Sequence, residues 1–117
     1  MMRRGDIYFA DLEPAQGSEA NKVRPVVIVS NDAINIATES LRRGVITVVP
    51  LTRNVANVAS YQVFLPSEIT SLQHDSKAQV EQVRALALHR FIPGLKGSLP
   101  PKYSAQLDAA LRLHFDI

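Results

Sequence analysis

Arg24 and Pro25 stand at the mouth of a nearly continuous apolar run, Val26-Val27-Ile28-Val29. A guanidinium keeps its charge at any ordinary pH, so Arg24 cannot enter a core unpaired. Pro25 has no N–H to give to a ladder, which places it at the first ladder position or on an edge. The pair therefore describes a cation held rigidly where a strand emerges, a good place to grip an anion. The competing reading is an ordinary ion pair at a strand end, with Glu19 or Asp11 as partner. Three histidines, His74, His89 and His114, are the other groups able to exchange a proton near neutral pH. Their spacing matches no metal-ligand motif, and none has two close ligand partners in sequence. A catalytic pair of His74 with His89 is the alternative chemistry. There is no cysteine, which excludes disulfides, thiolate nucleophiles and cysteine-based zinc sites and fits a reducing cytoplasm.

These groups must be positioned by one small domain spanning residues 1–117. The run Gly5–Leu12 alternates, with Ile7 and Phe9 on one side and Asp6, Tyr8 and Ala10 on the other, and predicts a strand with one buried face. Residues 13–22 are polar, carry Pro14 and Gly17, and predict a mobile surface loop. Residues 24–30 predict a second strand buried on both faces, and Asn31 or Asp32 an N-cap for a short helix. A third strand is expected over 45–52, ending near Pro50, and a fourth over 61–65, closed by Pro66. Residues 76–91 fit either a helix or a strand pattern. Tyr103, Leu107, Ala110, Leu111 and His114 follow helical spacing from about Pro101, a good first-turn residue. Several short strands with a terminal helix suggest a small, strongly curved sheet or barrel. No apolar run reaches the ~18–20 residues that span a bilayer, and the first residues lack the apolar centre of a signal peptide. The net charge of +2 permits a nucleic-acid partner without demanding one.

Four motifs then occur in order: RRGDIYFADLEPAQGSE, VRPVVIVSND, VVPLTRN and DSKAQVEQVRAL. The series resembles the MazF/PemK toxins of bacterial toxin–antitoxin pairs over nearly the whole chain. The resemblance implies a mainly β fold with short helices, an SH3-like β-barrel with a C-terminal α-helix, and it decides residues 76–91 in favour of strand pairs. It implies a homodimer that cleaves single-stranded RNA at specific sequences without metal or cofactor. It also implies a small antitoxin whose disordered acidic tail fills the RNA groove. The arginine of the family's RP motif matches Arg24, and the threonine closing its third strand matches Thr52; both are the expected catalytic residues. The GSE loop (Gly17, Ser18, Glu19) and the glutamine of the QV motif (Gln82) are the expected RNA-binding residues. Lys77 and Gln79 stand where the family often has apolar residues, and are expected to face solvent or RNA.

The chemistry suits those types. RNA carries its own nucleophile, the 2′-hydroxyl, and cleavage through it leaves a 5′-hydroxyl and a 2′,3′-cyclic or 3′-phosphate. Arginine offers two parallel hydrogen bonds to phosphate oxygens, and threonine a third donor. Neutral guanidine at pH 7 amounts to about one part in 10⁵ or less, so the general base is water or a neighbouring group. Gln82 can pair with a base edge, and Tyr8, Phe9, Tyr61 and Phe64 can stack on unpaired bases. Two other outcomes suit the same fold: a CcdB-like poison that binds DNA gyrase, and a family member that binds RNA without cutting it. The ending LRLHFDI, which lacks tryptophan, and the Arg24/Thr52 pair favour the nuclease.

Overall fold

A computed structural model describes all residues, 1–117. Seven strands form one antiparallel system: β1 (Asp6–Asp11), β2 (Val23–Ile28), β3 (Val45–Thr52), β4 (Gln62–Leu65), β5 (Ser76–Gln79), β6 (Arg84–Ala87) and β7 (Gly97–Ser98). Helix α1 (Asp32–Leu41) follows β2, the single turn α2 (Ser67–Thr70) follows β4, and α3 (Pro101–Phe115) ends the chain. The strand order is β4-β5-β3-β2-β1-β7, with β6 also paired to β3. After β6 a 3₁₀ turn, Leu88–Arg90, brings the chain back so that Phe91 bridges Ala10 and Ile92 N–H donates to the Phe9 carbonyl at 2.8 Å. That return closes a small barrel from β1, β2, β3 and β6, the SH3-like architecture expected, with α3 packed outside it across β4.

The alternation of side chains explains why β2 is apolar throughout. Val26 and Ile28 join Tyr8, Ala10, Ile46, Val48, Leu86 and Phe91 inside the barrel. Val27 points the other way and joins Ile7, Val49, Leu51, Val63, Leu65, Leu107 and Ala110 beneath α3. A slip of one residue would exchange the two cores, so the register Val27↔Val49 and Ile7↔Val27 is strongly specified. β1 departs from the one-faced strand expected: Ile7 is buried on one side, and Asp6, Tyr8 and Ala10 on the other. Its alternation hid this because Asp6 is polar yet buried, its carboxylate accepting from the Ser98 hydroxyl at 2.6 Å.

Helix α1 starts as its sequence demands, with the Asn31 side chain accepting from Ile34 N–H at 2.9 Å. Residues 76–91 resolve into β5, a 3₁₀ turn at Val80–Gln82, and β6, as the resemblance implied and periodicity left open. β3 runs through Pro50 to Thr52 rather than ending at the proline. Two small elements carried no sequence signal: α2, and β7 within the GLKGSLPP stretch.

Candidate active site

The two prolines shape the site. Because the Phe9 carbonyl faces Ile92, the Phe9↔Pro25 pair is not hydrogen-bonded, and the Pro25 nitrogen faces β3. It has no proton to offer there, and the β2–β3 ladder ends at Val26↔Pro50. Pro50 in turn lies where β3 exchanges partners, from β6 (through Val48↔Arg84) to β5 (from Leu51↔Ala78). β3 is thereby free to peel away from β2 and follow β5. Continued by two residues, the β2–β3 register would set Arg24 opposite Thr52. The parted strand ends instead leave a hollow of about 620 Å³ between them, and both residues line it.

Arg24 is half-buried and makes no ion pair; the protein's single salt bridge is Arg4–Asp108, elsewhere. Asp11 and Glu19, the partners of the ordinary reading, accept instead from the N–H groups of Glu13 and Gln16. The guanidinium is held from the side by Asn21: Nε donates to its carbonyl at 2.8 Å, and Nη2 to its Oδ1 at 3.2 Å. That grip fixes the plane of the fork and leaves the N–H groups at its end free for an anion. Thr52 Oγ1 accepts from Asn54 N–H at 3.3 Å, so its hydroxyl proton remains available to donate.

The rest of the lining is basic or neutral: Phe9, Arg53, Ser71–His74, Ser76 and Lys96 among others, with no carboxylate. Lys96 Nζ lies 5.8 Å from the centre of the Phe9 ring. The segment Ser71–His74 borders the hollow because α2 packs tightly on β7. A Cβ at Gly97 would sit 2.3 Å from the Thr70 carbonyl oxygen, so only glycine permits that approach.

Gly17, Ser18, Glu19 and Gln82 do not line this hollow. Gln82 is committed at both ends of its amide: Nε2 donates to the Ser18 carbonyl at 2.9 Å, and Oε1 accepts from Ala20 N–H at 3.0 Å. It ties the 13–22 loop to the turn between β5 and β6, one residue from Asn21 and hence next to the group that holds Arg24. That loop, expected to be mobile, is also fastened by Glu13, which accepts from Lys22 N–H at 2.7 Å. Gly17 takes a left-handed conformation (φ 57°) at the loop's exposed tip.

Of the aromatic candidates, Tyr8 is lost to the barrel core, 8% exposed and edge-on to Phe91. Burial, then Asp6 and Glu39, raise its phenol above the ordinary value. Phe9 lines the hollow, and Tyr61 and Phe64 are exposed outside it. His74 lines the hollow whereas His89 does not, so the histidine pair is not assembled there. No cluster of three His, Cys, Asp or Glu groups is placed to hold a metal. Lys77 and Gln79 are half-buried, and Lys77 Nζ donates to the Asn57 carbonyl. Sequence reading missed Asn21, Arg53 and Lys96. Asn21 and Arg53 lie beside the recognised motifs, but Lys96 arrives from a loop with no local signal.

Similarity to known proteins follows the same outline. Residues 3–115 match the family described as PemK-like, MazF-like toxin of type II toxin-antitoxin system. The chain is 52% identical to endoribonuclease MazF9 of Mycobacterium tuberculosis, over 100% of this chain and 98% of that protein. It is 33% identical to endoribonuclease MazF of Staphylococcus saprophyticus, over 97% and 94%. Among solved structures, MazF from Deinococcus radiodurans superposes with a TM-score of 0.81 at 19% identity, covering 99% of this chain and 97% of that one. A mycobacterial endoribonuclease in complex with its cognate antitoxin gives 0.78 at 19% identity, covering 100% and 97%. With nearly every residue inside the family match and a full-length relative at 52% identity, this chain belongs to the PemK-like, MazF-like toxins of type II toxin–antitoxin systems.

Proposed function

We propose that the protein is an endoribonuclease toxin that cuts single-stranded messenger RNA at specific sequences, in the cytoplasm where its substrate is translated. The observation that carries this reading is the acid-free hollow shared by Arg24 and Thr52. A phosphodiester brought there meets the free end of the Arg24 fork and the Thr52 hydroxyl. Charge accumulates on the phosphoryl oxygens as the 2′-oxygen attacks, and both donors gain strength at that moment. Arg24 also lies in reach of the departing 5′-oxygen and can polarise or protonate it. No resident metal or cofactor is needed, since the nucleophile belongs to the substrate. The gyrase-poison reading has less support, because both full-length relatives bear the endoribonuclease name.

The same electropositive lining suits an antitoxin whose acidic tail competes with RNA for the hollow. A homodimer belongs to this reading too, supported by exposed apolar residues on α1 and the end of α3: Ile34, Leu113, Phe115 and Ile117. The decisive experiment incubates purified protein with a long RNA in EDTA and sequences the ends. Fragments with a 5′-hydroxyl and a 2′,3′-cyclic or 3′-phosphate are expected. A single 2′-deoxy substitution at the cut position should abolish cutting while binding persists. An intact RNA after prolonged incubation, or equal cutting of the 2′-deoxy analogue, overturns the proposal.

A further inference from the structure

We infer that His74 is the proton acceptor for the attacking 2′-hydroxyl, an assignment that rests on the endoribonuclease reading above. The argument starts from what the hollow lacks. Guanidinium and ammonium groups keep their protons at neutral pH, which removes Arg24, Arg53 and Lys96 as bases. Thr52, Ser71, Gln73 and Ser76 offer only hydroxyls and an amide, and no carboxylate lines the wall. His74 is the one lining residue of a type that takes up a proton near neutral pH.

Its placement suits the task. It sits on the segment leading into β5, the strand paired with Thr52 through Lys77, so it approaches the hollow from the Thr52 side, across from β2 and Arg24. The imidazole is exposed and makes no hydrogen bond or ion pair within the protein, so both ring nitrogens are free for substrate. Its backbone is steadied: the buried Ser76 hydroxyl donates to the His74 carbonyl at 3.4 Å, and Asp75 accepts from Ser67 N–H at 2.9 Å. The charged groups that line the hollow with it are Arg24 from β2, Arg53 beyond β3 and Lys96 before β7, with Asp75 the acid next to it in the chain.

The step balances without a co-reactant. The 2′-hydroxyl proton passes to the His74 ring, the 2′-oxygen bonds to phosphorus, and the bond from phosphorus to the 5′-oxygen breaks. The departing 5′-oxygen, polarised by Arg24, takes a proton from water or from Arg24, which at once regains one from water; the hydroxide so formed is neutralised when the imidazolium gives up its proton. The products are a 2′,3′-cyclic phosphate and a 5′-hydroxyl.

The test is the pH–rate profile of His74→Gln and His74→Ala on a short RNA containing the cut site, with the wild-type chain alongside. Loss of a general base should lower kcat by about 10²–10⁴-fold with KM little changed, and the wild-type acidic limb should vanish. Added imidazole should restore part of the rate of His74→Ala. Wild-type rates in both variants overturn the assignment, as does a slower variant that keeps the acidic limb, since His74 would then only bind. If the wild-type chain itself leaves RNA uncut, the endoribonuclease reading fails; if wild type cuts and the variants match it, only His74 fails.

Discussion

The protein has a second hollow, of about 570 Å³, lined by Arg4, Val29, Ile34, Asp108, Leu111, Phe115 and Ile117 among others. It is nearly as large as the Arg24 hollow, yet its chemistry is the reverse. There Arg4 is neutralised by Asp108 at 2.7 Å, its Nε is spent on the Val29 carbonyl, and half of the lining residues are apolar, with Arg112 as a second cation. In the Arg24 hollow the cations face open space with no acid among them, and the two contacts that hold Arg24 come from the neutral oxygens of Asn21. Size does not distinguish the two, but the carboxylate beside the arginine and the apolar share of the wall do. A guanidinium held in plane by a neutral partner keeps its full charge for a ligand, whereas one paired with a carboxylate has little left to offer. The first hollow is built to receive an anion, and the second suits an apolar surface.

The sharpest way to break this contrast is Arg24→Ala, expected to lower the rate of RNA cleavage by about 10³-fold with thermal stability nearly unchanged. Arg24→Lys should recover little of it, because an ammonium cannot supply the planar fork; near-wild-type cutting by the lysine variant would reduce the hollow to a point charge. Thr52→Val, which keeps the shape and removes the hydroxyl, should cost about 10²-fold in kcat. Asn21→Ala removes the Oδ1 contact on Nη2 while the backbone carbonyl still holds Nε, and a loss of about 10-fold, seen in kcat, is expected from one hydrogen bond to a charged group. An Asn21→Ala protein with full activity would show that the backbone carbonyl alone holds Arg24 well enough. Lys96→Ala should leave cutting at saturating RNA nearly intact while reducing the slope of log K against log salt by about 0.7, one phosphate contact on a single strand. The smallest effect belongs to the other hollow. Arg4 and Asp108 are each about a third exposed, so Arg4→Ala should change stability by less than about 1 kcal/mol and leave cleavage untouched. A large loss of cleavage in that variant would erase the distinction between the two regions.

Legibility was uneven, for reasons that individual residues make clear. Val26–Ile28 could be read as a strand buried on two faces because an apolar residue at every position has no other economical explanation. Asn31 could be read as a cap because its role is local. Tyr8 could not be separated from Phe9 as a stacking candidate, since both lie on one strand and only the closure of the barrel decides which of them is enclosed. Gln82 lay open to a base-reading role because an amide can pair with anything; its commitment to Ser18 and Ala20 depends on a contact more than 60 residues away in sequence.

The order of residues alone established the family, the strand and helix segments with strong local signatures, and a fixed cation beside a proline at a strand's mouth. These depend on side-chain type, period and short-range geometry, all of which are written along the chain. Tertiary structure decided that β3 leaves β2 for β5 just past two prolines, and that Arg24, Thr52, Arg53, His74 and Lys96, from four separate segments, border the same space. It also decided that Asn21, not an acid, holds the guanidinium. Pairing between distant strands sets those relations, and no local preference encodes which strand a neighbour will choose.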